Sequence, residues 1–194
     1  MSGGSTTLRD VTRQAVRDQV VNQAWQLFAR HGFEGTTIDQ IAEASGMSRR
    51  TFFRYFTGKD ELIVEKLVEA GERVADALAE RPAGEPAWAA VRAAFNAVVD
   101  AVEAHPEHSR KLRIMLRDEP VVRSSLEEWR RRWVDLLAPL IASRLGASAG
   151  DVRVEAMAGS ALACLDAAQV AWADHPGSDL GALLDAAMGA LAPV

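Results

Sequence analysis

Apolar residues recur along this chain at helical spacing almost throughout, and no stretch of useful length alternates as a strand would. Val21, Ala24, Trp25 and Phe28 follow the i, i+3, i+4, i+7 rule and predict the inner face of a first helix, from about Arg9 or Thr12 to Arg30. Gly32 suits the left-handed position just past its end. Thr37-Ile38-Asp39-Gln40 reads as a capping box opening a short second helix, with Ile38, Ile41 and Ala42 inward and Gly46 as its stop. A third short helix opens at Ser48, with Met47 and Phe52 placed as a hydrophobic staple and Phe52, Tyr55 and Phe56 on one face. A fourth starts near Thr57-Gly58 and carries the stripe Ile63, Leu67, Ala70, Val74 and Leu78. It ends before Pro82-Ala83-Gly84-Glu85-Pro86, the clearest loop of the chain. Later helices are predicted at about 86–104, 106–117, 120–145, 150–174 and 179–192, with a kink at Pro139. The prediction is an all-α protein of about nine helices.

The chemistry concentrates between residues 37 and 59. A helix lying in the major groove must be narrow, must carry donors on its N-terminal turn and must be held at a fixed angle by a second helix. The Gly46 turn sets that angle, and buried rings anchor the third helix. Arg49 and Arg50 present guanidinium forks that match guanine O6 and N7, while helical spacing points Arg50 and Arg54 most directly away from the core. Ser48, Thr51, Tyr55 and Lys59 reach phosphate oxygens, as do backbone N–H groups at the starts of the second and fourth helices.

Net charge is −5, which by itself argues against a nucleic-acid partner. Its distribution reverses that argument: residues 1–59 hold eight Lys/Arg against five Asp/Glu, and the remainder fourteen against twenty-two. A basic head on an acidic body is the asymmetry of a protein that meets phosphate at one end. The single cysteine, Cys164, excludes a disulfide framework and a zinc set, and makes the reducing cytoplasm the expected compartment. No apolar run is long enough to span a bilayer, so no membrane partner is expected.

With those residues in place, Thr37–Leu62 closely resembles the N-terminal domain of the TetR family of bacterial transcriptional regulators. The resemblance rests on Ile41-Ala42, Ala44-Ser45-Gly46-Met47-Ser48, Thr51-Phe52-Phe53, Tyr55-Phe56 and Lys59-Asp60-Glu61-Leu62. Ala24, Phe28, Gly32 and Phe33 extend it to residues 20–62. At position 53 the family commonly carries a phosphate-binding tyrosine; Phe53 has no hydroxyl and offers its ring to a sugar or a thymine methyl. Residues 1–8 are small and polar and are expected to lack fixed structure. The resemblance implies a helix-turn-helix DNA-binding domain at 9–56 and an effector-binding and dimerisation domain at 57–194. The fourth helix, from Thr57, is the connector. DNA contacts are expected from Thr37, Ser48, Arg49, Arg50, Thr51, Phe53, Arg54, Tyr55 and Lys59.

The same resemblance implies a homodimer that leaves a near-palindromic double-stranded operator when a small, largely apolar effector binds. Expected pocket residues are Trp88, Phe95, Met115, Leu116, Trp129, Trp133, Met157 and Leu162. Expected dimer residues are Ala156, Gly159, Ser160, Ala163, Ala167 and Ala171, small enough for a partner helix to come close, with Leu180, Leu184 and Met188 of the last helix. No cofactor and no metal are expected: His105 and His108 lack a cysteine or carboxylate set around them, and read as exposed polar residues or caps. Arg130-Arg131-Arg132 follow Glu127 and Glu128 and read as a solvated face. An enzyme would need converging acid, base and nucleophile groups, for which the sequence has no recognisable motif. A related DNA binder governed by a protein partner, or by no effector, stays open.

Overall fold

A computed structural model describes residues 7–191, without the side chains of 120–127. All of its regular structure is helical: α1 (Leu8–His31), α2 (Ile38–Ala44), α3 (Arg49–Phe52), α4 (Lys59–Ala79), α5 (Ala87–Ala94), α6 (Asn96–Glu103), α7 (Pro106–Asp118), α8 (Pro120–Leu145), α9 (Val152–Asp174) and α10 (Leu180–Gly189). The stretch expected as one helix over 86–104 is divided at Phe95, which keeps right-handed dihedrals (φ −65°, ψ −12°). Thr7 and Leu8, expected in a formless tail, are the cap and the first residue of α1; the rest of that tail lies outside the described residues.

The chain forms two compact units, 1–66 and 67–194, and passes from one to the other within α4. The first is a small three-helix arrangement completed by the opening turns of α4. Val20, Val21, Ala24, Phe28, Phe33, Ile41, Phe52, Phe56, Leu62 and Ile63 are buried in it. The Trp25 indole N–H donates to the Leu62 carbonyl, tying α1 to α4.

In the second unit α9 is the hub on which α5, α7, α8 and α10 pack. Its core joins Val74 and Leu78 of α4, Phe95, Trp129 and Trp133 of α8, and Leu162, Leu165 and Trp172 of α9. Alanine supplies much of the remaining contact surface, which lets the helices approach closely. Gly71 shows how tight this is: a Cβ there would lie 2.6 Å from Nε1 of Trp133. That indole N–H donates to the Leu67 carbonyl, so the ring is fixed. α8 continues through Pro139 and stops at Gly146 in the left-handed conformation (φ +60°). No helix among the described residues is long and apolar enough to cross a membrane.

Candidate nucleic-acid interface

Local capping builds the interface. Thr37 Oγ1 accepts from the Gln40 amide, and Gln40 Oε1 accepts from the Thr37 amide, so two donors at the start of α2 are satisfied reciprocally. Gly46 takes a positive φ of +69°, which a side chain would strain, and the Met47 amide closes onto the Ala42 carbonyl. Ser48 then caps α3, accepting from the Thr51 amide at 3.1 Å. Three short-range devices within fifteen residues, Thr37 to Thr51, therefore fix where α3 leaves α2.

α3 buries one side and bares the other. Phe52 is fully buried and Phe56 nearly so, their rings 5.4 Å apart. Phe53 is 47% exposed and meets Phe52 edge-on. Arg49, Arg50 and Arg54 are all exposed. Tyr55 departs from the expectation that it lies with the buried rings. α3 ends at Phe52, Tyr55 sits in a turn whose amide closes onto the Phe52 carbonyl, and its ring is only half-buried. Helical spacing no longer applies once the helix has stopped.

The two leading arginines differ. Arg49 Nη1 donates to both oxygens of Asp39 on α2, at 3.1 and 3.0 Å, and the guanidinium lies 5.5 Å from the Phe53 ring centre. Its Nε and Nη2 edge is left for another acceptor. Arg50 makes no ion pair with any described residue and projects into solvent.

Lys59 was expected at phosphate. The structure gives its ammonium a prior occupation: it donates to the carbonyls of Phe33 and Thr36 at 2.8 and 2.9 Å and sits 4.5 Å from the Phe33 ring centre. Lys59 thereby staples the α1–α2 turn to the start of α4, close to the Thr37 cap. Behind α3, Arg17 of α1 donates to the Tyr55 carbonyl, to Glu61 at 2.9 Å and to Glu65 at 2.7 Å, and covers the Phe56 ring. Glu61 also accepts from the amide and hydroxyl of Thr57. Burial opposes its charge, but the Thr57 amide, Arg17 and the Thr57 hydroxyl outweigh burial and hold the carboxyl below its ordinary value. Asp39 is not among the expected site residues; Arg17, with Arg9 and Arg13, reads in the sequence as either a basic arm on DNA or an exposed helix end, and the structure spends it inside the unit. Only Glu61 carried a local signal, four residues after the Thr57 it caps.

In the second unit, the expected pocket residues Phe95, Trp133 and Leu162 are buried, as are Met115, Leu116 and Trp129, while Trp88 and Met157 are half-buried. The Trp88 indole N–H donates to the Met188 carbonyl. Trp129 and Trp133 meet edge-on at 5.3 Å, and Nε1 of Trp129 is buried without a hydrogen-bond partner among the described residues. Of the expected dimer residues, Ala156, Gly159, Ser160, Ala163, Ala167 and Ala171 lie on the outer side of α9, exposed or half-exposed. Leu180, Leu184 and Met188 do not: at 0, 0 and 2% exposure they are already consumed by the core of this one chain, and the outer side of α10 is Ala182, Asp185, Ala186 and Gly189. Arg131 and Arg132 pair with Glu128 on the surface, and Glu127 has no described side chain.

Known proteins share this organisation. The profile of bacterial regulatory proteins of the tetR family matches residues 20–65, and that of the MftR C-terminal domain matches 85–194. The transcriptional regulator TcmR of Streptomyces glaucescens is 41% identical over 95 residues, 49% of this chain, and the chain spans only 42% of that relative's length. MftR of Mycobacterium tuberculosis is 26% identical over 164 residues, covering 82% of this chain and 81% of the relative. Among solved structures, Thermus thermophilus FadR in complex with lauroyl-CoA superposes with a TM-score of 0.61 at 24% identity, covering 90% of this chain and 92% of that one.

Proposed function

The chain belongs to the TetR family of bacterial transcriptional regulators, and on that premise we propose that it is a repressor that reads duplex DNA through Arg49 and Arg50. The observation that carries this is the arrangement of α3: caps on both sides of the Gly46 turn fix its entry, Phe52 and Phe56 hold it from behind, and the two arginines stand exposed on its first turn. Ser48, Thr51 and Thr37 supply hydroxyls beside helix starts where phosphate is favoured, and Phe53 supplies an exposed ring. The boundary expected at Thr57 falls inside the first compact unit, so in this proposal the reading domain extends through the opening turns of α4 to Lys66, and the unit from Leu67 carries the effector and the partner subunit. Selection of bound sequences from a random duplex pool tests it: enrichment of a near-palindrome supports the proposal, and an unenriched pool removes it.

The proposed effector is small and largely apolar. The interior of the second unit is built of Phe95, Trp129, Trp133 and Leu162, and the bare indole N–H of Trp129 leaves a donor whose burial costs about 1–3 kcal/mol until an acceptor meets it. The FadR fold match makes acyl-CoA thioesters of increasing chain length the first ligands to try. Release of the selected operator together with a change in tryptophan emission supports the proposal. Intact DNA binding that no apolar ligand disturbs favours a protein partner, or no effector, instead.

Dimerisation is proposed through the outer side of α9, where the stripe from Ala156 to Ala171 lets a second helix approach, and not through Leu180, Leu184 and Met188. Sedimentation of the free protein is expected to give a dimer, and a strict monomer at micromolar concentration contradicts the assignment.

A further inference from the structure

Arg17 is spent inside the first unit, but the two arginines that precede it on α1 are not. Arg9 and Arg13, one turn apart, meet Arg54 just beyond α3, and with Leu8, Thr12 and Tyr55 they line a groove of about 750 Å3. All three guanidinium groups are exposed and form no salt bridge with any described residue. The acid between them, Asp10, is turned back onto Thr7, accepting from its amide at 3.1 Å and its hydroxyl at 2.6 Å. Its charge still faces Arg13 at longer range. Arg17 fixes the far wall of the groove by holding the Tyr55 carbonyl.

Three like charges around one groove repel one another in the free protein, and an anion relieves that repulsion. Arginine forks match phosphate oxygens in pairs. Arg54 lies two residues past the end of α3, whose exposed first turn carries Arg49 and Arg50, so the groove adjoins the reading helix in the chain. We propose that this groove is a second DNA-contact site, in which Arg9, Arg13 and Arg54 grip backbone phosphates outside the base pairs read by α3. The proposal rests on the DNA-reading function above and adds a contact that carries no sequence information.

The test compares the full-length protein with an Arg9→Gln/Arg13→Gln variant on the selected operator and on a scrambled duplex across a salt series. Gln keeps helix propensity, and neither guanidinium supports an internal contact. Binding is expected to weaken by the same factor on both duplexes. The plot of log affinity against log salt should become shallower by about two units per reading head, with base preference unchanged. An Arg9→Lys/Arg13→Lys variant should restore the slope. An unchanged slope in the Gln variant overturns the proposal while leaving the function reading intact; failure of the unaltered protein to bind any duplex removes the function reading itself. Saturable binding of inorganic pyrophosphate that the Gln variant loses, with DNA slopes equal, assigns the groove to a soluble anion and also overturns it.

Discussion

The two units spend their polar side chains differently. In the first, arginine, lysine and glutamate cross between helices and fix particular atoms: Arg17 joins α1 to Tyr55, Glu61 and Glu65, Lys59 joins α4 to Phe33 and Thr36, and Arg49 is held by Asp39. In the second, the interior is apolar and alanine-rich, and several arginines close helix ends or bridge the rim. Arg144 donates to the Leu78 carbonyl in the last turn of α4 and to the Arg81 carbonyl just past it, Arg110 to the Trp172 carbonyl near the end of α9, and Arg92 pairs with Asp185. A reading head must hold a few donors at fixed positions against a rigid target. If the second unit accommodates the effector proposed for it, a core shaped by packing, which can be repacked, suits that role.

The largest expected effect breaks the first unit alone. Phe52→Ala removes a fully buried ring that touches both Phe53 and Phe56, and should cost about 3–5 kcal/mol. Hydrogen exchange should accelerate over α1–α3 while α9 stays protected; equal acceleration in both units would show that they do not stand apart. Gly71→Ala is the counterpart in the second unit. Alanine gains about 1 kcal/mol of helix propensity, but its Cβ drives into an indole already fixed to Leu67, an overpacking cost of about 1–3 kcal/mol. A net loss of stability with a shifted tryptophan spectrum is expected, and a more stable variant would contradict the packing described.

Much of this organisation was legible in the chain itself, but unevenly. The α2–turn–α3 element could be read because each device acts within four residues: Thr37 with Gln40, Gly46 at positive φ, Ser48 with Thr51. Asp39 and Arg49 are ten residues apart, and Lys59 lies 23 residues from its Thr36 acceptor, so those pairs exist only once the helices are placed. Helical periodicity misplaces Tyr55 because the rule does not hold past the end of a four-residue helix. The apolar stripe Leu180, Leu184 and Met188 does not itself say which surface covers it; α5, α6 and α9 of the same chain do.

Smaller effects sharpen the contrast. Glu61 is held below its ordinary value of 4.5, so its contribution is complete above that pH and disappears as pH falls through the lowered value in the folded protein. Glu61→Gln should therefore cost on the order of 1 kcal/mol near neutrality and nothing in strong acid, where urea titrations of the two proteins should coincide. A pH-independent difference would mean that the Arg17 clasp does not depend on charge. Lys59→Ala should lower DNA affinity by loosening the turn before Thr37 while leaving the salt dependence unchanged. A slope shallower by about one unit would instead place its ammonium on phosphate.

Base reading by Arg49 and Arg50 is tested most directly by repeating the selection from random duplex DNA with Arg49→Ala, Arg50→Ala and Asp39→Ala. Guanine preference at one position per half-site should fall by about 1–3 kcal/mol with each lost arginine. Asp39→Ala should blur the position read by Arg49 and leave that of Arg50 untouched. Recovery of the same enriched sequence by all three variants would contradict the account.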